Sequence, residues 1–256
     1  MTLSKISKLK TAACLTLVIA NAASGALVIN ESDIANDSYT YSLKQANVGS
    51  FLNDVASSSN VKVNNFNVSG ETRSSVTLVN GSTVGGFTYK FDFASVGEGY
   101  QVDSFSLQEV ARREQDGSWN STDLRNATGY SSYYSIDQGS SWILFSEIAP
   151  AKGYLGQTVS KTDAPIQLTN GVTSVWFKVE LTSSGPAVGS YTTSAGVQNN
   201  GWSGMNWNYT GASTSGGNFF EASFNLSAIP EPTTIGSILF GALVLIASSA
   251  SRRQRQ

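Results

Sequence analysis

The chain has 256 residues, 40% hydrophobic and 13% charged, with 24 Gly, no histidine and a single cysteine. Without histidine there is no Ser-His-Asp triad, no Cys-His pair and no His-ligated zinc; Cys14 lies in the N-terminal segment, so the rest of the chain has no disulfide and no thiolate metal site. With the basic residues of the two ends and Glu231 set apart, residues 27–227 keep 10 basic and 17 acidic side chains, about −7, which disfavours nucleic acid because phosphate binding needs clustered Lys and Arg.

Residues 1–26 start with Lys5, Lys8 and Lys10, continue through an apolar run at 11–20, and end in the small residues Ala22, Ala23, Ser24, Gly25 and Ala26. That order is the one a secretory signal peptide requires. Cleavage after Ala26 leaves Ser24 and Ala26 at the positions that need small side chains, and cleavage after Ala22 is the alternative. The apolar run is short for a membrane span, which needs about 20 residues.

Residues 27–227 read as one exported domain. A short helix is predicted near Ser50 to Ser57, and a first strand over Val61 to Val68. Phe87, Tyr89, Phe91 and Phe93 alternate with Thr88, Lys90 and Asp92, as Val175, Phe177, Val179 and Leu181 alternate with Trp176, Lys178 and Glu180. Phe220, Ala222, Phe224 and Leu226 repeat the pattern. A period of two puts apolar side chains on one face, as in half-buried antiparallel strands. Further strands are expected over Tyr100 to Val110, Tyr130 to Ile136 and Trp142 to Ser146, with turns at Asn80-Gly81, Asp116-Gly117, Gln138-Gly139 and Asn170-Gly171. Many short strands at this spacing predict an all-β protein, an antiparallel β-sandwich or jelly roll. The Gly- and Ser-rich stretch from Ser183 to Gly217 is expected to be a long loop within that domain.

Ser135-Ile136-Asp137-Gln138-Gly139-Ser140-Ser141-Trp142 matches Ser-x-Asp-x-Gly-x-Ser/Thr-Trp and resembles the Asp-box hairpin. In such a hairpin the Asp137 carboxylate accepts backbone N–H bonds across the turn, Gly139 takes a positive φ and Trp142 covers the base. Asp-boxes are usually structural, and a propeller would need more than one copy, so a stabilised hairpin is expected. Trp202, Trp207 and Tyr209, with Asn206 and Asn208 beside them, are candidate sugar contacts, combining ring stacking with amide hydrogen bonds. The alternative is that these rings pin a long loop to the sandwich. Glu109, Glu114, Glu147 and Glu180 could serve glycoside hydrolysis, but no spacing singles out a pair. Arg112-Arg113-Glu114 reads as a charged strand end. Calcium would suit an acidic extracellular sandwich, yet no Asp-x-Asp-x-Asp loop is present. No metal site, cofactor or catalytic residue is assigned.

Residues 228–256 hold Pro230-Glu231-Pro232, an apolar segment at 233–251, and then Arg252, Arg253 and Arg255. A helix over 233–251 would be about 28 Å long, close to the hydrocarbon thickness of a bilayer. The arginines place the C-terminus on the cytoplasmic side. This three-part order closely resembles the PEP-CTERM sorting signal of Gram-negative bacteria. The resemblance implies an exosortase, a membrane protease, cutting near Pro230-Glu231-Pro232, inner-membrane anchoring before that cut, and a setting rich in exopolysaccharide or biofilm matrix. An ordinary single-span anchor is the alternative. The expected role is non-enzymatic, at the cell surface or in an extracellular polysaccharide matrix. A carbohydrate-binding module and a jelly-roll glycosidase or lyase are the rivals.

Overall fold

The computed structural model describes residues 27–44, 51–68, 71–114, 126–151, 155–185, 204–207 and 218–230. Ala26 and the leader, the Asp116-Gly117 turn, Trp202, Tyr209, Glu231, Pro232, the predicted span 233–251 and Arg252, Arg253 and Arg255 lie outside these residues. Among the described residues no helix is long and apolar enough to cross a membrane.

Three alternating strands build the interior. β5 (Val84–Asp92), β11 (Ser174–Ser183) and β13 (Asn218–Ala228) turn their odd or even apolar positions inward. Phe87, Tyr89, Phe91, Phe177, Val179, Phe220 and Phe224 are all buried. Rings from the two layers meet there, with centroids 4.6 Å apart for Phe177 and Phe220, 4.9 Å for Phe91 and Phe224, and 5.2 Å for Tyr89 and Phe220. Full burial of such a side chain contributes about 1.5–3 kcal/mol, so this seam holds the two layers together.

The remaining strands are β1 (Ser38–Lys44), β2 (Ser57–Ser59), β3 (Val61–Val68), β4 (Glu71–Leu78), β6 (Tyr100–Glu114), β7 (Thr128–Ser135), β8 (Ile143–Ala151), β9 (Leu155–Lys161), β10 (Ile166–Val172) and β12 (Gly204–Trp207). Among the described residues eight strands form one sheet, in the order β1-β13-β6-β12-β4-β3, with β9 and β10 both against β6. The other five form the sheet β2-β5-β11-β7-β8. The strand pairs are antiparallel, and the two sheets share one hydrophobic core. The protein is an all-β sandwich.

Several local expectations are corrected. The helix expected over Ser50 to Ser57 is the single turn α1 (Phe51–Asp54), and Ser57 already belongs to β2. Phe51 is buried, and Asp54 Oδ2 accepts a hydrogen bond from the Tyr41 hydroxyl at 2.7 Å, which fixes both ends of so short an element. Asn170-Gly171 makes no turn between strands. It lies inside β10, where the pairing with β6 shifts between Gln167 and Val172, so the extra residues are absorbed as an irregularity. The stretch from Ser183 to Gly217 is more than a loop, because β12 fills the slot between β6 and β4. The strand expected at Trp142 to Ser146 starts at Ile143 and runs on to Ala151.

Strand directions define two poles. β1 begins with Ser38 opposite Asn225, and β13 ends with Ala228 opposite Tyr100, so the described chain enters and leaves at one pole. The Ile229 N–H donates to the Gly99 carbonyl at 3.0 Å, and the next residue, Pro230, is exposed. The Glu114, Thr128, Ser183 and Asn218 strand ends lie at the opposite pole.

Candidate functional site

Residues facing one another in an antiparallel ladder share a face. On the outer face of the five-stranded sheet this rule gives three rows. Lys90, Trp176 and Ser135 form the first, Ser57, Thr88, Lys178, Tyr133 and Leu144 the second, and Ser59, Gly86, Glu180, Ser131 and Glu147 the third. Their inward neighbours, Phe177 and Val179, belong to the core, so the floor beneath these rows is rigid.

The first row is covered by the β7–β8 hairpin. Ser135 Oγ accepts the Gly139 N–H at 2.8 Å and donates to Asp137 Oδ1 at 2.7 Å. Asp137 Oδ1 also accepts the Ser141 N–H at 2.8 Å, and its Oδ2 accepts the Ser141 hydroxyl at 2.5 Å. The Ser141 hydroxyl, then its N–H, then Ser135 hold the exposed Asp137 carboxyl down at about 2. Gln138 and Gly139 both have positive φ, 59° and 84°. Gly139 lies so close to Trp176 that an added Cβ would sit 2.7 Å from Cζ3 of the indole. On the same row, Lys90 Nζ is 3.9 Å from the Trp176 ring centroid. Trp176, which the sequence reading placed only as a polar-face residue, therefore seats the hairpin on the sheet.

The second and third rows stay open. Lys178 Nζ lies 4.6 Å from the Tyr133 ring and 4.7 Å from the Trp142 ring, and 2.9 Å from Glu180 Oε1. Its side chain and that of Glu180 are 25% and 41% exposed, so their ion pair adds little stability and remains within reach of a ligand. Beside it, the absence of a side chain at Gly86 leaves a trough of about 240 Å³, lined by Ser57, Ser59, Thr88, Lys178 and Glu180. Gly86 is required there, since a Cβ would collide with the Val179 carbonyl oxygen. The trough thus offers three hydroxyls, an ammonium and a carboxylate over a rigid floor, beside two aromatic rings.

The carboxylates raised by the sequence are separated. Glu109 is buried between the sheets, where Ser132 Oγ donates to its Oε1 at 2.5 Å. Neighbouring Tyr130 is also buried, and burial together with the Glu109 charge pushes its phenol well above 10. Glu147 and Glu180 flank Ser131 in the third row, two strand spacings apart, about 10 Å, on an open surface. Of Glu114 only the backbone, at the end of β6, is described. Among the described residues no group of three or more His, Cys, Asp or Glu could hold a metal. The Trp207 backbone lies in β12, opposite Ala111 of β6 and Val76 of β4. Sequence reasoning missed Ser57, Ser59, Gly86, Thr88 and Lys178 as a set. The one signal was the outward alternation of Thr88, Lys178 and Glu180, which did not say that they would be neighbours.

No family model and no curated protein matches the chain. Among solved structures it is similar to a cyclase from Fischerella sp. TAU (TM-score 0.33, 11% identity, 78% of this chain and 88% of that one). It is also similar to the enzymatically active domain of the bacteriophage CBA120 tailspike protein 4 (TM-score 0.30, 10% identity). That match covers 69% of this chain, which spans only 19% of the tailspike chain. A third is a carbohydrate-binding module of Cellvibrio mixtus lichenase 5A in complex with cellotriose (TM-score 0.28, 14% identity, 61% of this chain and 92% of that one).

Proposed function

We propose that the protein is an exported cell-surface or extracellular-matrix protein with a jelly-roll-like sandwich. Its tail hands it to an exosortase, and it associates with extracellular polysaccharide without catalysing a reaction. The sequence supports the routing: a leader ending at Ala26, then Pro230-Glu231-Pro232, an apolar segment and three arginines. Among the described residues, Pro230 stands exposed one residue beyond the last backbone bond, and the two prolines of Pro230-Glu231-Pro232 disfavour a helix there, which suits a protease that binds its substrate as a strand. The observation that carries the polysaccharide reading is the open outer face of the five-stranded sheet. There hydroxyls, an ion pair and the rings of Tyr133 and Trp142 lie together over a rigid floor. Glycoside hydrolysis needs an acid kept protonated by a secluded setting. Glu147 and Glu180 stand on an open surface and Glu109 is sealed inside, which favours binding over catalysis.

The test is fractionation and intact mass of the protein expressed in its own host. The expected product starts near Leu27, ends near Pro230-Glu231-Pro232, and sediments with extracellular polysaccharide. A membrane species that keeps Arg252 to Gln256 overturns the exosortase step. A released species that never sediments with polysaccharide overturns the association.

A further inference from the structure

We propose that the trough over Gly86 is a subsite for one pyranose residue of a neutral polysaccharide, whose neighbouring hydroxyls bond to the Glu180–Lys178 ion pair and to Ser57, Ser59 and Thr88. This rests on the polysaccharide reading above and specifies its ligand. The size is the first argument. Pockets for drug-sized ligands run from about 300 to 1,000 Å³, and this one, at about 240 Å³, takes a single ring. The same two rows continue across Ser131 and Tyr133 to Leu144 and Glu147, so the rest of a chain can run on over the sheet.

The second argument is donor and acceptor matching. A sugar hydroxyl both gives and takes a hydrogen bond. Glu180 only accepts, Lys178 only donates, and Ser57, Ser59 and Thr88 do either. Sugar hydroxyls that reach this ion pair from the trough can donate to the carboxylate and accept from the ammonium, both with charge-assisted strength. Ser57 and Ser59 lie on the three-residue edge strand β2, so the hydroxyl wall is open to solvent and a chain can enter from the side. Tyr133 and Trp142, with ring centroids 4.6 and 4.7 Å from the Lys178 ammonium, supply apolar surface beside the trough.

The third argument is charge. Lys178 is paired with Glu180, and Lys90 lies over Trp176. A uronate carboxylate entering the trough would face Glu180, with Glu147 on the same row, in a domain of about −7. A neutral sugar meets no such repulsion.

The experiment is affinity electrophoresis of the full-length chain in detergent, through gels holding a neutral galactomannan, a neutral β-glucan or alginate. The wild-type chain should be retarded by at least one neutral polymer and not by alginate. Glu180→Gln, at a half-buried surface position, should weaken that retardation about tenfold or more, the effect of losing a hydrogen bond to a charged group. Ser59→Trp, which fills the trough from its exposed edge, should abolish it. Melting curves of both variants should match wild type. Wild-type retardation in both variants overturns the trough assignment and leaves the polysaccharide association standing. Retardation by alginate alone overturns the neutral class. A wild-type chain retarded by none of the three overturns both proposals.

Discussion

The outer face of the five-stranded sheet is one lattice with two fates. Near the pole where the chain enters and leaves, the row of Lys90, Trp176 and Ser135 lies under the Asp137 hairpin, with Gly139 against the indole and Lys90 beside it. Farther along, the rows of Lys178 and Glu180 carry the same kinds of side chain and remain uncovered. The difference teaches that an aromatic residue on a sheet face is not in itself a binding surface. Trp176 is taken up by the protein's own hairpin. The open half has less ring surface of its own, but its hydroxyls and its ion pair face solvent.

The comparison can be broken most forcefully from below. Phe177 lies under both halves and meets Phe220 across the core, so Phe177→Ala should cost about 3–5 kcal/mol in denaturant unfolding. Covered and open halves should be lost in one transition. A cost under about 1 kcal/mol would mean that the halves do not share this floor. Gly139→Ala acts first on the covered half, since its new Cβ strikes Trp176 and meets Trp142 only at an ordinary contact distance of 3.5 Å. It places a Cβ at a φ of 84° and 2.7 Å from Trp176, and should cost about 1–2 kcal/mol by thermal melting while leaving polysaccharide retardation intact. Lost retardation at unchanged stability would show that the halves are one site. The smallest effect is that of pH. The Asp137 carboxyl is depressed from 3.8 to about 2, so its support of the hairpin is fully present above 3.8 and is lost as pH falls toward 2. Tryptophan fluorescence followed from pH 5 to pH 2 should report the hairpin loosening over that window. In Asp137→Asn the same signal should be flat, and an unchanged acid transition in that variant would assign it to another group.

The strands that form the seam were legible because each obeys a single period over a full length: Phe87 to Phe91, Val175 to Leu181, Phe220 to Leu226. The hairpin was legible because its bonds join residues two to four apart, within Ser135 to Ser141. β4 and β10 were not, since Glu71–Leu78 and Ile166–Val172 mix Ser, Thr, Asn and Gly into their runs and take their structure from pairing partners. β12 hid in a Gly-rich stretch because a four-residue strand held by β6 and β4 needs no pattern of its own. The trough hid for a related reason. Ser57, Gly86 and Glu180 become neighbours only through the registers of β2, β5 and β11, and register is a property of three separated segments together.

One feature at the pole of entry bears on load. The last described strand, β13, is bonded along one edge to β1 and along the other to β6, and Pro230 stands two residues beyond its end. A pull applied at Pro230 in line with the strand therefore strains two ladders in shear, with their hydrogen bonds sharing the force rather than opening one after another. Resistance of that kind is kinetic, set by the rate at which both ladders give way together. A glycan tugging on the far half of the sandwich and a tether at Pro230 would stretch the molecule along the direction in which its backbone bonds act in concert.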